Sequence, residues 1–334
     1  MKDFSSIVVS SRVRLFRNLL GFKFPSVIDE VEGNKVLNKV AENVLSIFPN
    51  YKLYKMKNLP DLDVNVMREK KLVTGKLIDA MAYSSVILSK DESISIMINE
   101  NDHITEQCYF YGLNLYNAYN ILSQIDDQIT SKLDIAYDDE FGFLTSNISN
   151  IGTGLKASVT MFLPGLSING GISEVIEKVQ KHGFEVNKFD EDEDNQAYFY
   201  TFSNMFTIGK QEKRIISELT ELVIQVSDRE VSERKKMLSL GSVDSITDKV
   251  YRAWGILTNC FKIDKDEAVK LLGEIKIGIA LDMIKFKDIS VIENLITDIM
   301  PYSLTKISKS QISMIDLDKY RAKLISNVLK KNRI

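Results

Sequence analysis

The 334-residue chain is poor in the residues that many enzyme classes depend on: it has two His, two Cys, five Pro and one Trp. His103 and His182 cannot build a His-rich zinc site, and they argue against a Ser-His-Asp or Cys-His hydrolase. Any acid–base work must then fall to carboxylates. Cys108 and Cys260 are too few for a disulfide framework and point to a reducing compartment. Both read as core thiols rather than nucleophiles. No apolar leader follows Met1, and no run of about 18 apolar residues occurs, so a cytoplasmic protein without a membrane partner is expected. Low-complexity tracts, internal repeats and a Pro/Gly/Ser-rich linker are all missing. A formal net charge of −3 gives no reason to expect nucleic-acid binding.

What is present fits an ordinary globular protein, with 44% hydrophobic and 27% charged residues, and its length suggests two domains. SIVVSSRVRL alternates and is rich in β-branched residues, which predicts a strand. SSVILS and SISIMIN, joined by KDE, predict two more, and DEFGFLT, ASVTMFLP and AYFYTFSN a further three. Helical spacing marks 35–47, GLNLYNAYNILSQIDDQITSKL, the stretch ending at Gly183, and KQEKRIISELTELVIQVSDREVSERKKML. EQCYFYGL, with Cys108, also reads as helical. From about Ser245 onward only helical patterns remain, and Trp254 falls in their expected core. Strands first and helices last imply an α+β domain over 1–235 and a small helical domain over 236–334. The strands lack regular crossover helices, so a mainly antiparallel sheet is expected.

Four polar segments can carry chemistry. In SSRVR, Arg12 and Arg14 lie two apart and so share one strand face, where two guanidinium forks suit phosphate oxygens. NENDH follows an apolar strand, and Glu100 there is suited to orienting a magnesium-bound water. In TSNISNIGTGLKAS, Gly152 and Gly154 allow close backbone approach to a ligand and Lys156 adds a charge, although neither GxxxxGK[ST] nor GxGxxG is present. FDEDEDNQ is an acidic run that reads as a solvated loop able to lend one carboxylate to a cationic substrate.

Taken in order, these segments resemble the guanidino kinases (ATP:guanido phosphotransferases), and most closely the bacterial McsB-type protein-arginine kinases. SSRVRLFRNLLGFKFP is similar to the family's SSRxRLxRN…FP block, and ESISIMINENDHI to its strand ending in NEEDH. LDIAYDDEFGFLTSNISNIGTGLKASVTMFLPGL is similar to YLTxCPTNxGTGxRAS…LPxL, and FSNMFTIGKQE to ISNxxTLG. DKVYRAWGIL and DLDKYRAKLI resemble the helical C-terminal domain of the McsB branch. The resemblance implies an α+β catalytic domain, mainly antiparallel sheet flanked by helices, followed by a small all-α domain. It also implies transfer of the γ-phosphoryl of Mg-ATP to a guanidinium nitrogen, with ATP and Mg²⁺ as cofactors and no metal site of the protein's own.

The resemblance places Arg12, Arg14 and Lys156 at phosphate-clamp positions, with Lys188 the nearest substitute for a clamp arginine that falls near Val186. Glu100 and Glu191 stand for substrate or catalytic carboxylates, and Asn147 for the reactive cysteine. Asn101 replaces a glutamate and Thr105 a clamp arginine, while Lys76 stands where a histidine near the adenine is expected. Asp318 and Arg321 keep part of the phosphoarginine-binding RDxxRA motif, whose first arginine is Leu317. Arg-to-Lys exchange loses bidentate geometry. A missing carboxylate leaves a guanidinium, whose pKa exceeds about 12, without a base. Three readings follow: a protein-arginine-kinase homologue with impaired catalysis, acting as a pseudokinase or regulatory partner; an active kinase using Glu191, Lys156 and Lys188; and a phosphoarginine-binding adaptor. The expected partners are a protein substrate, a partner kinase or activator and the Clp protease system, with a homodimer as the assembly.

Overall fold

The computed structural model describes residues 4–188, 198–239, 243–308 and 314–334. Ten strands occur among them: β1 (Val8–Arg17), β2 (Lys52–Lys55), β3 (Ser85–Leu88), β4 (Ile94–Ile98), β5 (Ile104–Tyr111), β6 (Tyr137–Asp138), β7 (Gly142–Phe143), β8 (Leu155–Phe162), β9 (Phe184–Lys188) and β10 (Phe199–Asn204). β6 and β7 form a small hairpin of their own. The other eight make one sheet in the order β2-β3-β4-β5-β1-β8-β10-β9. Every neighbouring pair in it is antiparallel, as the scarcity of crossover helices implies.

The helices are α1 (Glu30–Ile47), α2 (Asp61–Glu69), α3 (Gly75–Asp79), α4 (Leu115–Thr130), α5 (Pro164–Ile168), α6 (Ile172–Lys181), α7 (Glu212–Ser239), α8 (Val243–Asn259), α9 (Lys265–Ala280), α10 (Ser290–Asp298), α11 (Pro301–Ser308) and α12 (Met314–Asn332). Local chemistry sets several of their ends. Asp29 caps α1 by accepting from the Glu32 amide, and Asp264 caps α9 by accepting from that of Glu267. In α1, Val36, Leu37, Val40, Ala41 and Val44 recur at helical spacing and are buried.

Strand alternation divides the sheet into two unlike faces. One carries Val13, Leu15, Ala157, Val159 and Phe202, packed with residues of α1, α4, α6 and α7 into the main core. The other is covered only at its two ends. Beyond β5, Val86, Leu88 and Met97 pack under Met56 and Leu77. At the opposite corner Phe162 and Phe199 join the core of the C-terminal helices. Between these two caps the centre of the sheet is open, which places a cleft over β1, β5, β8 and β10.

After Asn204 every described element is helical. α7 runs across the expected boundary at 235/236: Ile215, Leu219 and Val223 belong to the main core and Met237 to the second. Several side-chain contacts fasten the C-terminal helices to the sheet domain, among them a Tyr111–Asn294 hydrogen bond of 2.9 Å and two contacts at α11. Glu69, at the end of α2, accepts from the Tyr302 amide at 3.0 Å and from the Ser303 amide and hydroxyl at 2.6 and 2.7 Å, capping α11. Lys306 bonds Asp63 at 2.9 Å. Lys276 of α9 is fully buried, pairs with Glu293 and lies 5.1 Å from the Phe162 ring.

The structure corrects several expectations. EQCYFYGL is not helical but lies largely in β5, the strand between β4 and β1. Cys108 is buried there, and burial pushes its thiol up to about 12, in keeping with a core residue. DEFGFLT supplies only the two-residue β7. Strands β2, β6 and β9 and helices α2, α3, α5 and α11 go beyond the sequence expectation. Trp254 packs against the second core, with the Arg333 guanidinium 4.6 Å from its ring.

Candidate functional site

Antiparallel register decides which side chains meet in the cleft. Arg14 lies opposite Gln107 on one side and Lys156 on the other, and Arg12 lies opposite Tyr109 and Ser158. Ser203 and Thr201 of β10 follow on the same face, and then Glu185 and Asn187 of β9. Arg14, Glu100, Asn101, Asn147, Lys156 and Lys76 line one cavity of about 490 Å³. Arg12 and Lys188 line an adjoining recess of about 240 Å³ with Lys71 and Tyr109. Of the residues expected at the site, these converge. Glu191 and the rest of FDEDEDNQ lie outside the described residues.

The side chains of Arg12 and Arg14 make no hydrogen bond or ion pair among the described residues; Arg14 lies 5.5 Å from the Phe16 ring, and its Nε is buried without a hydrogen-bond partner. Burial, then the like charge of Arg14, presses the Arg12 guanidinium down to about 9. Burial lowers Arg14 too, against the opposing pull of Glu100 and Glu185. Lys71 falls to about 8 through burial and the charge of Arg12. Two desolvated guanidiniums side by side disfavour their own charge, and a phosphate would relieve both.

The carboxylate end of the cleft is differently arranged. Glu100 is buried. Its Oε1 accepts from Thr74 Oγ1 at 2.7 Å and Asn101 Nδ2 at 3.0 Å, and its Oε2 from Thr105 Oγ1 at 3.2 Å. The residues at the two substituted positions, Asn101 and Thr105, are thus both donors to Glu100. Asn147 sits exposed at the rim, where its Oδ1 accepts from the amide and hydroxyl of Ser149 at 3.1 and 2.9 Å. Lys156 Nζ lies 2.6 Å from both Glu185 Oε1 and the Asn204 carbonyl.

Two further segments hold the frame rather than a ligand. In NENDH, Asn99 adopts positive φ and bonds the Gly33 and Tyr83 carbonyls, so the turn is locked. His103 Nδ1 accepts from the Leu19 amide, and its Nε2 faces the Lys23 carbonyl at 2.9 Å. Gly152 and Gly154 permit a close approach, as expected, but to the chain itself. A Cβ on Gly154 would lie 2.6 Å from the Phe16 carbonyl oxygen, and one on Gly152 3.0 Å from Ile208 Cα.

At the C-terminal motif, Arg321 is buried, donates to the Ile263 and Ile299 carbonyls at 2.9 and 3.1 Å, and pairs with Asp318. Its donors tie α12 to the segments before α9 and α11. Glu185 and Lys71 were not singled out from the sequence. Reading FEVNK as an edge strand would have put Glu185 on the face of Ser203. No helix among the described residues is long and apolar enough to cross a membrane, and no three His, Cys, Asp or Glu converge among them as a metal site.

Comparisons with known proteins agree with this architecture. Residues 33–233 match the family model of the ATP:guanido phosphotransferase C-terminal catalytic domain, and 243–333 that of the protein-arginine kinase McsB C-terminal domain. A protein-arginine kinase of Clostridium tetani is 34% identical over 329 residues, 98% of this chain and 96% of that one. One from Staphylococcus haemolyticus is 38% identical over 286 residues, 85% and 84% of the two chains. The fold is shared with a lombricine kinase structure at 19% identity and a TM-score of 0.60, over 72% of this chain and 69% of that one. It is shared also with the duplicated taurocyamine kinase of Schistosoma mansoni, at 24% identity and a TM-score of 0.62, over 69% of this chain and 34% of that longer one. The chain belongs to the ATP:guanido phosphotransferase family, in its protein-arginine kinase branch.

Proposed function

We propose that this protein is a protein-arginine kinase homologue that binds a nucleotide through its phosphates but is impaired in phosphoryl transfer, and that it acts as a regulatory partner of an active kinase. The observation that carries the reading is that Asn101 and Thr105, at positions of a family glutamate and a clamp arginine, are uncharged and both donate to Glu100. Its oxygens are bonded by Thr74, Asn101 and Thr105, so the carboxylate is held as part of the cleft wall. A guanidinium must lose a proton to a carboxylate as it attacks, and Asn101 offers none at its position. Arg12 and Arg14 support the binding half, since both are desolvated and neither side chain is held in an ion pair among the described residues. They would hold the phosphates of Mg-ATP, with Mg²⁺ arriving on the nucleotide to neutralise charge between its phosphate groups. Lys188 and Lys76, at the rim, would add long-range attraction.

Phosphoryl transfer is mostly positioning plus charge stabilisation, and a transition-state arginine is worth about 10³–10⁵ in rate elsewhere. Here Thr105 brings no charge and Lys156 is already paired. The protein-substrate, activator, Clp and homodimer expectations belong to the same proposal, as a partner role requires a companion. The test is an ATP-dependent phosphoarginine assay on a casein-like substrate, with and without an active protein-arginine kinase. The expected result is no phosphoarginine from this protein alone and altered yield when the two are mixed. Phosphoarginine formed by this protein alone, and abolished by Glu191→Ala, would establish the active-kinase reading instead. The adaptor reading requires phosphoarginine to reach Arg321, whose guanidinium already bonds two carbonyls and Asp318. Titration with free phosphoarginine is expected to show no binding there.

A further inference from the structure

β9 and β10 bring Glu185 and Ser203 opposite each other on the open face of the sheet. Glu185 Oε1 sits 2.6 Å from Lys156 Nζ and accepts from Ser203 Oγ at 2.9 Å. Lys156 gives a second hydrogen to the Asn204 carbonyl at 2.6 Å. The lysine side chain is 15% exposed and the carboxylate 37%, so the pair lies at the cleft wall, unlike largely exposed helix pairs such as Lys181–Glu177. Lys156 is also the register partner of Arg14, and the charge of Glu185 reaches Arg14 as well. A carboxylate from the chain itself therefore sits among the cations that a phosphate would use.

We infer that Glu185 is a built-in counter-anion, which competes with a phosphate-bearing ligand for Lys156 and sets how strongly the cleft binds polyphosphate. The inference rests on the reading that this cleft takes phosphate. Two of the three Lys156 hydrogens are taken, so an incoming phosphate oxygen either uses the third beside the carboxylate or displaces the carboxylate. If the carboxylate stays, two like charges share one poorly solvated wall. At an effective dielectric constant of about 20, either outcome weakens binding on the order of tenfold or more. The device makes the cleft selective for ligands with enough negative charge to displace a carboxylate.

Calorimetric titration of the full chain with inorganic pyrophosphate and, separately, with Mg-ATP tests this. Glu185→Gln keeps an acceptor for Lys156 and Ser203 while removing the charge, and Glu185→Ala serves as a second variant. The expected result is about tenfold tighter pyrophosphate binding in both variants, with the gain lost when Lys156→Ala is added. Pyrophosphate affinity unchanged within about twofold, or weaker, overturns the inference, as does a gain that survives Lys156→Ala. The Mg-ATP arm separates the two ideas. Tightened pyrophosphate binding without any Mg-ATP binding upholds the counter-anion and sinks the nucleotide reading. Equal Mg-ATP and pyrophosphate binding by wild type and variants does the reverse. If neither ligand binds any form, both ideas fall.

Discussion

Removing the Glu69 carboxylate should loosen the C-terminal helices from the sheet domain. The carboxylate satisfies two amides at the start of α11 and the Ser303 hydroxyl, at distances between 2.6 and 3.0 Å. A hydrogen bond to a charged group contributes roughly 1.5–3 kcal/mol when buried, and a lost helix cap costs about 1 kcal/mol. Glu69 is half-exposed, so water recovers part of this, and we expect Glu69→Ala to cost about 2 kcal/mol. Glu69→Gln, which keeps one acceptor oxygen but no charge, should cost about half as much. The single tryptophan, Trp254, lies in α8 and reports on that side of the molecule. Urea unfolding followed by its fluorescence should show the midpoint moving down, and amide exchange in α11 should accelerate before exchange in β1. Exchange in α11 that stays at the wild-type rate, with a stability change under about 0.5 kcal/mol, would refute the view that this carboxylate fastens the two parts together.

Three further outcomes are expected. Arg14→Met should weaken pyrophosphate binding at least tenfold yet raise the melting temperature by a few degrees, because it removes a desolvated cation whose buried Nε has no hydrogen-bond partner; a lower melting temperature in a thermal-shift assay would count against that account. Glu230→Ala strands the buried Arg234, which bonds Glu230 at 2.7 Å, and also the Gly165 and Leu166 amides, each 2.9 Å from the lost oxygens; chemical denaturation should show a loss of about 3–5 kcal/mol, and a loss below about 1 kcal/mol would contradict it. Burial lowers the pKa of His103, so the folded state resists protonation, and stability should fall as pH drops below about 6.5. The sign follows because the unfolded chain takes up the proton first. His103→Gln should flatten that part of the melting temperature–pH curve, and an unchanged slope would assign the acid sensitivity elsewhere.

Much of this molecule was legible in its residues. The alternation of SSRVR put Arg12 and Arg14 on one face, and scarce crossover helices implied an antiparallel sheet. Strand β5 was hidden because it is buried on both sides with polar groups on each: Thr105 and Gln107 face the cleft, while Glu106 and Cys108 face the helices. Such a strand shows no polar–apolar alternation to read. Segment β9 was missed because its five residues form a half-exposed edge. At the site, residue types could be aligned but their bonds could not. That Asn101 and Thr105 would both turn toward Glu100, or that Lys156 would find Glu185, depends on pairings across strands far apart in sequence. The glycines of NIGTGLK illustrate the same limit, since a need for close approach does not say what approaches.

The central position of β1 has a consequence for how the chain is made. β1 is synthesised well before the partners that both its edges need, and Ser158 of β8 lies 146 residues beyond Arg12. At about 5–20 residues per second, translation leaves an apolar strand with two open edges waiting on the order of 10–30 seconds. The strand that carries the two cleft arginines is therefore also the one most in need of shielding during synthesis, and the cleft cannot form until the last of its neighbours has emerged.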